Sequence, residues 1–311
     1  MAFLGVVLFG GANAVAVKLT VQELAPFWGA TLRILVAGVV MMLIVVATRR
    51  SLPRGRSLWG AVLYGVIAFG ASYGLAYTGL RDVPAGTAMV LISLTPLFTF
   101  GLAIAHRQER FHLQGLLGAL IAVVGIGIVF VDQLSADIPL FSLLLILLAA
   151  VAIAESGVIV KGIPRSDPFA TNGVAMLIGA ALLLIASIVA GEPQGLPTQA
   201  ATWVVMGYLV VLGTVAMFAL YVFALQRWTA SAVSYATLLM PLVTVALAVV
   251  LTGEQITPPF ILGSAVILGG VYVGAFLKRP MRAPAPSLPE CLPLEAAADA
   301  GAVAKPEAAR A

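Results

Sequence analysis

The chain is poor in the groups on which soluble chemistry depends. Charged residues make up 10% of its 311 positions, against about a quarter in an ordinary soluble domain. Its one cysteine, Cys291, forms no internal disulfide and no cysteine-ligated metal centre. Two histidines, His106 and His112, leave little for acid–base or zinc chemistry. No Gly-x-x-x-x-Gly-Lys-Ser/Thr loop occurs, so the chain holds no phosphate cradle for ATP. The net charge of +4 is spread over short basic loops rather than one surface, which excludes nucleic acid as a partner. No cofactor is expected.

What remains is apolar. Hydrophobic side chains form 61% of the sequence, and the mean hydropathy is +1.09. A spanning helix needs about 20 mostly apolar residues. The polar punctuation divides the chain into ten such spans, at about 2–20, 27–48, 58–80, 84–105, 113–131, 139–160, 168–190, 201–224, 231–251 and 259–277. Long apolar runs without strand-like alternation favour helices over a barrel. The expected fold is an all-α integral membrane protein. Ala12-Asn13-Ala14 resembles a signal cleavage site, but no basic residues precede it, so the first span is expected to be retained. From residue 278 the composition turns to alanine, proline and scattered charge, which predicts a disordered tail over 278–311.

Basic residues set the orientation. Arg49, Arg50, Arg54, Arg56, Arg107, Arg110, Lys161, Arg165, Arg227, Lys278, Arg279 and Arg282 fall on one side. Glu23, Asp82, Asp132, Asp137, Glu192 and Glu254 fall on the other, with Arg81 as the exception. Both termini are therefore expected in the cytoplasm, as an even number of spans requires.

The chain also matches itself. At an offset of 145 positions Leu75 meets Leu220, Ala85 meets Ala230, Pro96 meets Pro241, Glu109 meets Glu254, Gly118 meets Gly263 and Gly125 meets Gly270. Slightly shorter offsets pair Lys18 with Lys161 and Pro26-Phe27 with Pro168-Phe169. Each repeat then holds five helices, over 3–131 and 139–277, and an odd number turns the second copy upside down in the membrane. Inverted repeats around a central site are the architecture of alternating-access transporters.

Gly10-Gly11-Ala12-Asn13 with Lys18, Pro26-Phe27, Arg33, and the stretch from Ala85-Gly86-Thr87-Ala88 to Thr95-Pro96-Leu97 carry a further likeness. With Glu109, the glycine-rich fifth span and the second-half counterparts, the sequence resembles the EamA-like ten-helix branch of the drug/metabolite transporter superfamily. The resemblance implies an inner-membrane, multi-pass exporter or exchanger of small metabolites, often amino acids. The tryptophan that such transporters often carry in the first helix is replaced here by Phe9 before Gly10.

Charge inside a span costs about 2.5–3.5 kcal/mol on insertion scales, so Arg33 and Glu155 stand out. Glu155 reads as a titratable coupling carboxylate, and Arg33 as an anion-facing or gating arginine. The alternative is snorkelling, or a fixed bond between the two. The substrate-cavity candidates are Asn13, Ser72, Tyr73, Tyr77, Thr87, Ser93, Phe218, Tyr221, Ser234, Tyr235 and Thr237. Hydroxyls would bond a polar ligand and rings would cover its apolar part, unless the hydroxyls bond back to their own helices. Pro96 and Pro241 are expected mid-helix, as hinges or static bends. Glu109 and Glu254 read as caps of the fifth and tenth helices, and His106 and His112 as solvated. Gly70, Gly74, Gly115, Gly118, Gly125, Gly127, Gly270 and Gly274 permit close helix contact, within one chain or in a homodimer.

The function this supports is secondary transport of a small metabolite across the lipid bilayer. An intramembrane enzyme would need a nucleophile and base, or metal ligands, within the spans. A channel would favour a polar stripe or charged rings. Neither pattern is present.

Overall fold

The computed structural model describes residues 2–21, 23–79, 82–83, 88, 91–129, 139–243 and 258–276. Thr87, Arg81, Asp132, Asp137, Glu254 and the tail lie outside the described residues, as does the side chain of Lys18. All described residues belong to one unit, Met1–Leu277, and contain no β-strand.

The helical segments are α1 (Ala2–Thr20), α2 (Pro26–Ala47), α3 (Arg56–Gly79), α4 (Thr95–Ala105), α5 (Leu113–Val129), α6 (Leu140–Gly162), α7 (Pro168–Val189), α8 (Ala200–Leu225), α9 (Ala230–Val243) and α10 (Pro258–Val271). Of these, α2, α3, α6, α7 and α8 are each long and apolar enough to cross a membrane. The apolar stretches described in the others are shorter. Apolar side chains face outward as well as inward: Leu43, Val46, Leu148, Ile185, Val189 and Val204 are all exposed. A helix that is apolar all round suits a lipid environment, because water would not tolerate such a surface.

Proline lies in the first turn of several of these helices. Pro26 and Pro168 occupy the first turns of α2 and α7, where a missing N–H costs nothing. Both helices end in the same way. Arg49 (φ 51°) and Gly191 (φ 67°) take the left-handed conformation after them. The next amides, of Arg50 and Glu192, reach back to the carbonyls of Val45 and Ser187, as in a Schellman cap. Arg107 (φ 57°) ends α4 likewise, with Gln108 N–H bonded to Ala103 O.

Two helices contain π-helical segments, Gly65–Ala71 in α3 and Val211–Ala216 in α8. Their last residues, Ala71 and Ala216, are 145 positions apart, the offset at which the sequence matches itself. A third π-helical segment, Tyr272–Phe276, continues α10.

Two pairs of helices, α5 with α10 and α2 with α7, pack closely and run antiparallel. Between α5 and α10, Gly118 lies against Gly270 and Gly274, and Gly125 against Gly263 and Ile267. A Cβ on Gly118 would stand 2.4 Å from Gly274 Cα, and one on Gly270 would stand 2.5 Å from Ala122 N. Only glycine lets the two backbones approach so closely. Between α2 and α7, Gly38 meets Met176 and Leu177 while Gly173 meets Met41 and Met42. Gly127, by contrast, faces open space.

The expectation of a mid-helix Pro96 is corrected here. A turn at Ser93 and Leu94 interrupts the chain, and Pro96 falls in the first turn of the α-helix that starts at Thr95. No interior helical bond is lost there. In α9 a turn at Tyr235 makes a similar break, and Pro241 is buried in the helical stretch that follows.

Candidate functional site

The centre of the molecule gathers α1, α2, α3, α6 and α8 around an arginine and a train of rings. Arg33 is only 4% exposed. Its Nε donates to Thr214 Oγ1 at 2.8 Å and its Nη2 to Gly213 O at 3.1 Å. Thr214 Oγ1 in turn donates to Leu209 O. The arginine is thus bonded to the π-helical segment of α8 and not to Glu155, which corrects the fixed-pair alternative. Asn13 on α1 donates to the same Gly213 carbonyl at 2.8 Å. A side chain at Gly213 is excluded, because a Cβ would lie 2.0 Å from Asn13 Oδ1.

The rings adjoin this node. The Arg33 guanidinium carbon lies 6.0 Å from the Tyr73 ring centroid. Tyr73 stacks on Tyr77 at 6.0 Å. Phe69 touches Tyr73 at 6.2 Å and Phe218 at 4.8 Å, and Phe218 meets Tyr221 at 6.4 Å. Four aromatic candidates, Tyr73, Tyr77, Phe218 and Tyr221, are thereby joined through Phe69. Among the described residues the hydroxyls of Tyr73, Tyr77 and Tyr221 have no hydrogen-bond partner.

The small hydroxyls are placed differently. Ser72 bonds to Ala68 O, Ser234 to Ser231 O and Thr237 to Ser234 O, each within its own helix. Their hydrogens are committed to backbone carbonyls, as burial in an apolar helix favours. Ser93 is buried at the turn preceding α4. Tyr235 is buried, and its hydroxyl donates to Gly115 O at 2.7 Å between α9 and α5.

Glu155, about two turns from the end of α6, faces the cap of α4. Its Oε1 lies 3.2 Å from His106 Nε2, while Oε2 is buried without a partner. His106, expected to be solvated, is therefore the neighbour of the one carboxylate inside α6. Close by, Gln108 Nε2 donates to Val158 O at 2.8 Å and Gln108 Oε1 is buried without a partner.

Charge also closes the helix ends. At one end, Glu192 accepts from Phe27 N and Trp28 N, and so caps α2 from the far end of α7. Glu23 accepts from Thr198 N, Thr198 Oγ1 and Gln199 N at the start of α8. The Thr198 hydroxyl, with further bonds from Thr202 and the backbone, lowers the Glu23 carboxyl from 4.5 to about 2. At the other end Asp167 caps α7 and pairs with Arg50 at 2.6 Å. Lys161 Nζ donates to Leu225 O and Trp228 O, which closes α8. Glu109 accepts from Ser231 N, so it caps α9 rather than α5. A largely apolar groove of about 490 Å³ opens beside Arg50, lined also by Pro168, Phe169, Phe223 and Gln226. None of the candidates lies in it.

Sequence reasoning missed four participants: Phe69, Thr214, His106 and Asn172. Asn172 is fully buried, donates to Pro168 O and Phe218 O, and accepts from Tyr64. An amide alone in an apolar 22-residue helix carries the same signal as a lone arginine. Phe69 and Thr214 gave no such signal, because a phenylalanine or threonine in a span is ordinary.

Comparison with known proteins agrees with the apolar helical fold. A family model described as the EamA-like transporter family matches residues 1–131 and again 140–275. The uncharacterized inner membrane transporter YedA of Escherichia coli K12 is 26% identical over 270 residues, which cover 85% of this chain and 86% of YedA. A probable amino-acid metabolite efflux pump of Salmonella typhimurium is 26% identical over 284 residues, 87% of this chain and 92% of the pump. A crystal structure superposes with a TM-score of 0.77 at 19% identity, covering 89% of this chain and 96% of the other. With both halves matched by one family model, the chain belongs to the EamA-like transporter family.

Proposed function

We propose that this protein is a secondary transporter of small organic metabolites such as amino acids, working as an exporter or exchanger by alternating access. The observation that carries the reading is the antiparallel packing of equivalent helices, α2 with α7 and α5 with α10. Two five-helix repeats of opposite orientation, over 3–131 and 139–277, account for it. Rocking of one repeat against the other would then expose a central site to each side in turn. In this reading all ten helices cross the inner membrane and both termini face the cytoplasm.

The central site is the ring cluster of Tyr73, Tyr77, Phe218 and Tyr221 beside Arg33 and Asn13. Its half-buried rings offer apolar walls, and three hydroxyls without partners among the described residues offer hydrogen bonds. Glu155 is the coupling group, one of its carboxylate oxygens being buried without a partner among the described residues. The turns at Ser93–Leu94, ahead of α4, and at Tyr235, within α9, are the gating elements. The name of the Salmonella relative supports amino-acid metabolites as the first compounds to try.

Counterflow in proteoliposomes tests the reading. Purified protein is reconstituted, preloaded with one unlabelled amino acid or related metabolite at a time, and supplied with its labelled form. Saturable accumulation that requires the internal compound is expected for a carrier. Flux that never saturates would instead mark a pore, and no flux of any compound would remove the proposal.

A further inference from the structure

We propose that Arg33 and Asn13 form the binding site for a carboxylate of the transported molecule, an inference that rests on the transport reading above. A buried charge needs a counter-charge, since taking an ion out of water without one is among the costliest arrangements a fold can hold. Arg33 has none. It is 4% exposed, and its two acceptors, Thr214 Oγ1 and Gly213 O, are neutral. Among the described residues no carboxylate lies within ion-pairing distance of it. Snorkelling does not account for it either, because its head group reaches across to the middle of α8 rather than toward a helix end.

The donor inventory supports an anionic ligand. A guanidinium carries five N–H donors in a planar fork that matches a carboxylate, and only two of its nitrogens are bonded to protein here. Asn13, which shares the Gly213 carbonyl with Arg33, has its Oδ1 buried without a partner. That oxygen is an acceptor lying against Gly213, the residue whose carbonyl both side chains share. The complementary ligand bears a carboxylate and, on the next carbon, an N–H or O–H donor: an α-amino or α-hydroxy acid. The Tyr73 ring beside Arg33 and the rings beyond it then cover the ligand's apolar part. The node is built on the π-helical segment of α8, and such widened turns recur at functional sites. A cation would meet the uncompensated guanidinium and be repelled, so amines and cationic drugs are disfavoured.

Both wild type and a charge-supplying variant test this. Leucine, its α-hydroxy analogue 2-hydroxyisocaproate, leucinamide and isopentylamine are compared first. They are followed by the other amino acids with their amides and amines. The readouts are competition in counterflow and the thermal unfolding midpoint of the full-length protein in detergent. Acids are expected to compete and stabilise at concentrations at least about tenfold below their amides and amines. Asn13→Asp supplies an internal carboxylate beside Arg33. It is expected to raise the unfolding midpoint of the ligand-free protein and to weaken acid binding at least about tenfold. Arg33→Gln is expected to lose acid binding, and Arg33→Lys to retain part of it. Amides or amines that exchange as well as the acids would overturn the site while transport itself stands, and so would unchanged acid affinity in Asn13→Asp. Absence of exchange for every compound, whatever its charge, would remove both readings together.

Discussion

His106 Nε2 stands 3.2 Å from Glu155 Oε1, a contact that ties the cap of α4 to the interior of α6. Glu155 is a quarter exposed and His106 nearly half exposed, so the pair contributes little to stability, about 0–1 kcal/mol. In the proposed transport cycle this carboxylate is the coupling group, set beside an imidazole at the end of α4. Glu155→Gln is therefore expected to exchange substrate yet cease to respond to an imposed pH gradient. Counterflow with and without that gradient checks this, and a variant indistinguishable from wild type would end the coupling role.

The Glu23 clamp gives a signed pH dependence. Its carboxyl is held at about 2 against an ordinary 4.5, chiefly by the Thr198 hydroxyl. A depressed carboxyl stabilises the fold fully above its unfolded value and loses that contribution as pH falls through the folded one. Wild type should thus exceed Glu23→Gln in unfolding midpoint above pH 4.5, with the gap closing between pH 4.5 and about 2. Trp28 and Trp203, bonded to Gly195 O and Pro197 O in the same loop, supply the fluorescence signal. A gap that widened on acidification would contradict the assignment.

The antiparallel seam of α5 and α10 has no spare room. Gly118→Val drives a side chain into the backbone at Gly274, and overpacking of this kind costs about 1–3 kcal/mol or more. Gly127→Ala enters open space and is the control, expected to change stability by less than about 0.5 kcal/mol. Unfolding midpoints and size-exclusion profiles in detergent distinguish the two, and equal behaviour would disprove the seam.

Arg49 and Gly191 occupy equivalent left-handed caps, but only one of them is glycine. Arg49→Gly should stabilise the protein by about 1 kcal/mol and Gly191→Ala should destabilise it by a similar amount. The opposing shifts are read from thermal unfolding of the two single variants.

Much of the fold was legible because lipid imposes a simple rule. Backbone groups must bond within their own segment, so length and hydropathy alone mark a helix. The expected spans 27–48, 139–160, 168–190 and 201–224 correspond to α2, α6, α7 and α8 within a few residues. Pro26 and Pro168 announced the starts of α2 and α7 for a local reason, the fixed φ of their rings. The lone charges Arg33 and Glu155 were visible because each breaks an apolar run.

Tertiary structure decided the partners. Nothing in the order of residues says that Arg33 meets Thr214 rather than Glu155, or that Glu155 meets His106. Those choices depend on which faces of α2, α4, α6 and α8 turn toward each other. Several local features share that origin. The π-helical segments add a residue to a turn and rotate everything beyond it. The break at Ser93 leaves Pro96 at a helix start instead of a helix middle. Hydropathy is blind to both, since a leucine counts equally on either face. The sequence by itself determined the apolar, all-helical class and the long spans α2, α3, α6, α7 and α8, because those follow from solvation. Packing alone brought Arg33 and Asn13 to one carbonyl and set the Tyr73 ring beside the guanidinium.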